Sequence, residues 1–203
     1  MNRYQFRLMA AAVASFGVAF IGGCGNSNPG TASPASGEAG PPASAGSQQV
    51  TAPKVATPLK IDKFLSDPCS MLTSAQLSSL QLSKAEAHSE STGIRCSWRF
   101  SDGYTAVSAT FLTTVKDGLT NTYRQHATGY YRDGYFEPTV VNGFPAVMAN
   151  TADRRKEGQA SLIVGLSDQD EMLVLIQGVP GSNATTAATN VAKAVLSTVQ
   201  GGQ

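Results

Sequence analysis

The feature that most limits what this chain can fold into is a long tract without core-forming residues. Between positions 25 and 58 the sequence is mostly Gly, Ala, Ser, Thr and Pro, and its only charged residues are Glu38 and Lys54. Such a segment buries too little apolar surface to offset the entropy lost on ordering. Residues 24–58 are therefore predicted to be a disordered linker. The following residues, 59–203, are enough for one domain with an ordinary core.

A short apolar stretch precedes this tract. Leu8 to Ile21 carries no charge and follows Arg3 and Arg7, which is the arrangement of a secretory signal peptide. About 14 residues is short for a membrane-spanning helix, and a short transmembrane anchor is the alternative interpretation. Residues 1–23 are therefore predicted to be a signal peptide.

The junction between the two segments contains the first cysteine. Ile21-Gly22-Gly23-Cys24 resembles the lipobox of bacterial lipoproteins, in which the cysteine thiol accepts a diacylglyceryl group. Several acyl chains would give a stable anchor, because each buried methylene contributes about 0.8 kcal/mol. We therefore expect Cys24 to carry a lipid anchor that includes palmitate. The predicted location is the extracytoplasmic face of the cell membrane.

The net charge of the chain argues against partners that would bind through bulk electrostatics. The chain has 15 Lys and Arg residues against 14 Asp and Glu residues, and its formal net charge is +1. Bulk electrostatics therefore offers little attraction for nucleic acid or for anionic lipid.

Residue patterns after the linker predict a mixture of helices and strands. Thr73 as N-cap and Gln76 as its capping-box partner predict a short helix that begins at Ser74. Locally paired strands with helices at either end indicate an α+β fold, an antiparallel β-sheet covered by helices. Strands are predicted at 94–100, 104–115, 136–141, 144–150, 159–167 and 171–178, and further helices at 117–127 and 182–199.

Two features predict positions within the sheet. Met172 to Ile176 is apolar on both faces, which indicates a central strand. Pro138 and Pro145 lack a backbone N–H, which favours edge strands, or a strand followed by a turn.

Two cysteines remain once Cys24 is assigned to the lipid. An even remainder in an exported domain favours a Cys69–Cys96 disulfide over two buried free thiols. The bridge would close a loop of about 28 residues and stabilise the fold by about 3–4 kcal/mol. Trp98 would lie on the same sheet face as Cys96 and could cover the bridge.

These segments resemble a known family. DPCSMLTSAQL at 67–77 and CSW at 96–98, behind the lipobox and a Ser/Pro/Ala-rich linker, resemble actinobacterial secreted lipoproteins known only as a domain of unknown function. The resemblance extends from about Asp67 to Val199 and agrees with the pairing of Cys69 and Cys96. It implies no reaction.

Motifs for catalysis are missing from the sequence. The only histidines, His88 and His126, lie outside any recognisable catalytic context, and no G-x-S-x-G motif, P-loop or zinc-ligand spacing occurs. His88 is predicted to be solvated, and His126 to interact with the last carbonyl groups of its helix. We therefore expect no enzyme activity, no cofactor and no metal, with a hydrolase as the weakest alternative.

One aromatic loop is the predicted binding patch. The predicted function is that of a tethered, non-catalytic binding or accessory module. Its expected partner is an envelope protein or a glycan. The alternative function is a carrier or sensor of a lipid or small apolar ligand. The alternative interpretation of the loop, favoured because loop-packing aromatics are common, is that some of its rings pack onto the sheet while its glycines make turns. The patch comprises Tyr130, Tyr131, Arg132, Tyr135 and Phe136.

Overall fold

Seven antiparallel strands form one sheet in the computed structural model of the chain, which describes residues 50–103, 105–179 and 183–202. This arrangement confirms the predicted α+β class. The predicted signal peptide, Cys24 and most of the linker lie outside the described residues. In spatial order the strands run β1-β2-β3-β7-β6-β5-β4. Their bounds are β1 Leu82–Glu90, β2 Gly93–Phe100, β3 Ala106–Phe111, β4 Tyr135–Val141, β5 Phe144–Asn150, β6 Ala160–Gly165 and β7 Glu171–Gln177.

Helices pack against both faces of the sheet. The long helix α4 packs across β6 and β7, and the N-terminal helical segments pack against β1 and β2 on the same face. The helix α3 contacts β6 from the opposite face. The helices are α1 Asp62–Ser66, α2 Ser74–Ser79, α3 Gly118–Ala127 and α4 Asn183–Gly201, with 3-10 helices at Pro68–Met71 and Arg155–Glu157.

The final helix carries an apolar stripe along one face. Ala184, Ala188, Val191, Val195 and Val199 are all buried, because residues three or four positions apart share one face of a helix. Its burial against the central strands makes α4 the main cover of the core. Within the described ranges, no helix has both the length and the apolar character needed to cross a membrane.

The capping box at the start of α2 is formed as predicted. Thr73 Oγ1 accepts a hydrogen bond from the Gln76 N–H at 3.3 Å, and Gln76 Oε1 accepts one from the Thr73 N–H at 2.8 Å. The Gln76 side chain also donates to the Ala194 carbonyl of α4 at 2.9 Å. The cap therefore fixes α2 to the terminal helix as well as starting it.

Removal of this cap is expected to destabilise the domain. Thr73→Ala should lower the free energy of unfolding by about 1 kcal/mol, because the Gln76 N–H loses its acceptor. The exposed neighbour Ser74 provides the control, since its side chain does not cap the helix. Urea unfolding of both variants measures the difference. An equal loss in Thr73→Ala and Ser74→Ala would contradict this role.

Two predictions need correction, and one strand was not predicted. The first strand, β1, was not predicted, because Leu82–Glu90 has almost no apolar residues and is largely exposed. Pro145 does not mark an edge: β5 lies between β4 and β6, and Pro145 precedes the residues that pair with β6. The packed chain also begins earlier than residue 59, since Ala52 and Val55 are buried.

Candidate functional site

The face of the sheet that carries α3 is divided into two halves. Over β4, β5 and β6, α3 and the segment around Ala52 cover an apolar cluster. Over β1, β2, β3 and part of β7, this face forms a concave surface that is open to solvent. The covered cluster comprises Ala52, Leu119, Tyr131, Val147, Ala149 and Ile163.

Side-chain alternation along β2 determines the character of the uncovered half. Cys96 and Trp98 point to the helix-covered face and are fully buried. Successive strand residues alternate, so the residues next to these two must point to the other face. They are Arg95, Ser97 and Arg99. The charged and hydroxyl groups of β2 are thus collected on the uncovered side.

Strand register extends this polar row onto the neighbouring strands. Ser97 lies opposite Glu86 of β1 and opposite Ser108 of β3. Ser108 in turn lies opposite Leu175 of β7. Directly opposed residues share a face, so one line of side chains crosses four strands.

This line of side chains runs across a concave surface, which we call the open trough. It has a volume of about 250 Å³ and lies on the uncovered half of the sheet. Its basic side chains come from β1 and β2, and its hydroxyl and amide groups come from β2, β3 and β7. The lining residues are Lys84, Glu86, Arg95, Ser97, Trp98, Arg99, Ala106, Val107, Ser108, Leu175 and Gln177.

The three cations of the trough differ in how they are held. Arg95 forms an ion pair with Glu90 at 2.6 Å between Nη2 and Oε1, while its buried Nε has no hydrogen-bond partner. Lys84 and Arg99 are exposed, and neither forms an ion pair with a described residue. The trough thus presents one restrained guanidinium and two free cations.

The position of Lys84 comes from an irregularity in β1. Pairing with β2 shifts register between Ser83 and Glu86, and Lys84 has a left-handed φ of 51°. Such a bulge redirects a side chain that regular alternation would place elsewhere, and it also blunts an edge strand. Lys84, which lies within this irregularity, is one of the residues that line the trough.

The predicted aromatic patch is not a single surface. Tyr131 and Tyr135 are buried, with 7% and 6% of their surface exposed. The Tyr131 hydroxyl donates to Gln125 Oε1 at 3.1 Å, and the Tyr135 hydroxyl accepts from the Ser161 N–H at 3.1 Å. These two rings therefore pack as the alternative interpretation describes.

Phe136 and His126 form a stacked pair instead of separate features. Their ring centroids lie 3.8 Å apart with planes inclined by 5°. The stacking is the contact that the structure gives the His126 ring, in place of the predicted interaction with helix carbonyls. Of the predicted patch, Tyr130 and Arg132 alone remain strongly exposed.

The other predicted histidine, His88, has a carboxylate as its neighbour. His88 is half-buried on β1 and lies 3.9 Å from Glu86, so it is not fully solvated as predicted. Within the described ranges, no three His, Cys, Asp or Glu side chains come together in a group that could hold a metal ion.

The two cysteines of the domain lie together in the structure. Cys69 and Cys96 are joined as a disulfide, with Cα atoms 5.0 Å apart. The bridge ties the 3-10 helix Pro68–Met71 to β2. Trp98 is buried on the same face of β2 as Cys96, as the alternation predicted.

The trough was missed at the sequence level, although part of its signal was visible. The spacing of Arg95, Ser97 and Arg99 already marks one polar strand face. Whether another element covers that face depends on where α3 packs, and β1 gives no apolar signal. The charge cluster therefore emerges only when the strands are placed side by side.

Comparison with known proteins gives a family without an assigned activity. The family model described as "Protein of unknown function (DUF3558)" matches residues 19–198. No curated protein and no solved structure matches the chain.

Proposed function

The chain belongs to the family of proteins of unknown function DUF3558, and from this premise we propose that it is a non-catalytic binding module of the cell envelope. In this proposal a lipid on Cys24 tethers the module to the extracytoplasmic face of the membrane, as in the actinobacterial lipoproteins that the sequence resembles. The open trough is its binding surface. Its partner is a molecule of the envelope.

One observation carries this proposal: half of one sheet face is uncovered and polar, while the other half of that face lies under α3. The covered half of the same face is apolar under α3, and the opposite face packs against α4. Leaving one concave, charged half-face exposed serves no packing purpose. Concave surfaces with a few convergent polar groups are the usual form of binding sites.

The packing under α4 gives no specific support to a lipid carrier. Leu162, Val174 and Val195 meet between the sheet and this helix, and none of them is exposed. A cleft of about 620 Å³ does lie beside the start of α4, at the rim of the sheet near Phe100 and Asn190. It is open and lined largely by polar residues, whereas an apolar ligand needs an enclosed apolar cavity.

The tether is tested by Cys24→Ser in the native host. We expect the wild-type protein to sediment with membranes, and the variant to be released into the soluble extracytoplasmic fraction, because a serine hydroxyl does not accept the lipid. Membrane association of the Cys24→Ser protein equal to that of the wild type would contradict lipid anchoring.

Lysine acylation tests the binding surface in the same cells. Lys84 lies at the trough, and Lys156, which is also exposed and lies in the 3-10 helix Arg155–Glu157, is an internal control. A membrane-impermeant acylating reagent should modify Lys84 several-fold less in intact envelopes than in purified protein, because the partner covers it. Lys156 should react equally in both. Equal reactivity of Lys84 in both preparations would contradict the proposed binding surface.

A further inference from the structure

The open trough carries an excess of positive charge. Its lining holds Lys84, Arg95 and Arg99 beside Glu86, and Glu90 pairs with Arg95 from outside the lining, so one cation is left without a matching carboxylate. The complete chain carries a formal net charge of only +1, so this excess is a local property of one surface. A concave site with an excess of one sign concentrates ligands of the opposite sign. The charge therefore points to an anion.

The geometry of the cations narrows the kind of anion. Guanidinium groups present a rigid fork of donors that matches phosphate and carboxylate oxygens. Arg95 has one nitrogen paired with Glu90 and a buried Nε without an acceptor. A buried donor without a partner is the kind of group that a bound anion or an ordered water satisfies. A multivalent oxyanion in the trough would be attracted by both arginines and by Lys84, since all three line it.

The other lining groups describe the rest of the ligand. Ser97, Ser108 and Gln177 supply hydroxyl and amide groups suited to the hydroxyls of a polyol. Trp98 is the single aromatic residue in the lining, and its side chain is buried on the opposite side of the sheet. No described ring is therefore available for stacking on a neutral sugar. The volume of about 250 Å³ suits a small ligand.

We propose that the open trough binds a phosphate ester of a polyol, with the phosphate held by Lys84, Arg95 and Arg99 and the hydroxyls by Ser97, Ser108 and Gln177. This proposal rests on the proposed function of the trough as a binding surface. Such a group is presented either by a soluble ester or by the headgroup of a phospholipid. Both present the same chemistry to the trough.

Two binding assays separate these sources. The full chain carrying Cys24→Ser is titrated with glycerol 3-phosphate and, separately, with vesicles of phosphatidylcholine with or without phosphatidylglycerol. Binding in the first assay assigns the soluble ester. Binding only to the vesicles that contain phosphatidylglycerol assigns the lipid headgroup. Either result should weaken as salt is raised, because the contacts are ionic.

Arg99→Gln is the test variant, and Arg132→Gln is its matched control. Both arginines are exposed and both substitutions remove one charge, but Arg132 lies in the α3–β4 loop outside the trough. Arg99→Gln should weaken binding about tenfold or more, the usual loss when one charged hydrogen bond is removed. Arg132→Gln should change it less than twofold. Lys84→Gln, with the same expected loss, serves if Arg99→Gln does not fold.

The outcomes distinguish this inference from the proposed function. Absence of binding to both probes overturns the phosphate assignment, as does an equal loss in Arg99→Gln and Arg132→Gln. Protection of Lys84 in intact envelopes would then still support the trough as a binding surface for another partner. Lack of that protection would instead overturn the proposed function itself.

Discussion

Removing the Cys69–Cys96 disulfide is expected to lower the free energy of unfolding by about 3–4 kcal/mol, the largest single effect in the domain. The two cysteines are 27 positions apart, so the bridge closes a long loop and removes much of the conformational freedom of the unfolded chain. It also anchors the N-terminal helical segments to β2, where Cys96 is fully buried. Such a loss is a large part of the 5–15 kcal/mol typical of a domain.

The measurement is urea unfolding of the protein carrying Cys24→Ser, oxidised and after reduction. A Cys69→Ala/Cys96→Ala double variant separates loss of the bond from effects of the reductant, and it should resemble the reduced protein. Stability that changes by less than about 1 kcal/mol on reduction would show that the bridge does not restrain the unfolded chain.

Replacing Glu171 is expected to have the second-largest effect and to make stability less dependent on pH. Glu171 begins β7 and is only 2% exposed; its Oε2 accepts a hydrogen bond from the Thr122 hydroxyl of α3 at 3.1 Å. Burial raises the pKa of this carboxyl from 4.5 to about 7, against a lowering effect of the Thr122 hydrogen bond. The folded state thus favours the protonated acid.

The sign of the pH effect follows from this raised pKa. Below pH 4.5 the group is protonated in both states, and between 4.5 and about 7 only the unfolded chain loses the proton. Stability therefore falls as pH rises through this interval, by about 3 kcal/mol in total, and then levels off. Glu171→Gln can keep the Thr122 hydrogen bond without a charge. It should be about 3 kcal/mol more stable than wild type at pH 8 and about equal to it near pH 4.

Glu157→Gln provides the control for this comparison. Glu157 is exposed in the 3-10 helix Arg155–Glu157, so its substitution should alter stability little at any pH. The free energy of unfolding of Glu157→Gln should therefore match that of the wild type at every pH. That of Glu171→Gln should match it only at low pH. A difference in the free energy of unfolding between Glu171→Gln and the wild type that stays constant with pH would indicate a packing effect and contradict the charge argument.

The parts of the fold that sequence could predict are those set by local patterns. Thr73 and Gln76 identify the start of α2 because a capping box lies within four residues. The alternation in β3 and the apolar character of Met172 to Ile176 likewise reflect burial on one or two faces. Such patterns need no knowledge of which elements become neighbours.

Features that depend on neighbours could not be predicted in this way. β1 is a strand because its backbone pairs with β2, not because its side chains are apolar. The sequence of the loop after α3 shows how many aromatic rings it has but not which of them are buried. In the structure Tyr131 and Tyr135 are buried. Glu171 gave no signal, because its burial arises only when α3 places Thr122 above it.

The candidate site shows the same division. The polar alternation in β2 is visible in the sequence. The trough also requires that β1 lie beside β2 and that α3 pack over the other half of the same sheet face. The aromatic loop was predicted to be the binding patch because of its composition. The uncovered surface results instead from the order of the strands in the sheet. The site was therefore a property of strand order more than of any single motif.

Site-specific crosslinking tests the central claim, that the open trough is the binding surface, most directly. A photoreactive benzophenone residue is placed at Gln177 in the trough, at Tyr130 in the aromatic loop, or at exposed Glu157 as control, and the cells are irradiated. Adducts from Gln177, with none from Glu157, are the predicted result. Adducts from Tyr130 without any from Gln177 would contradict the claim.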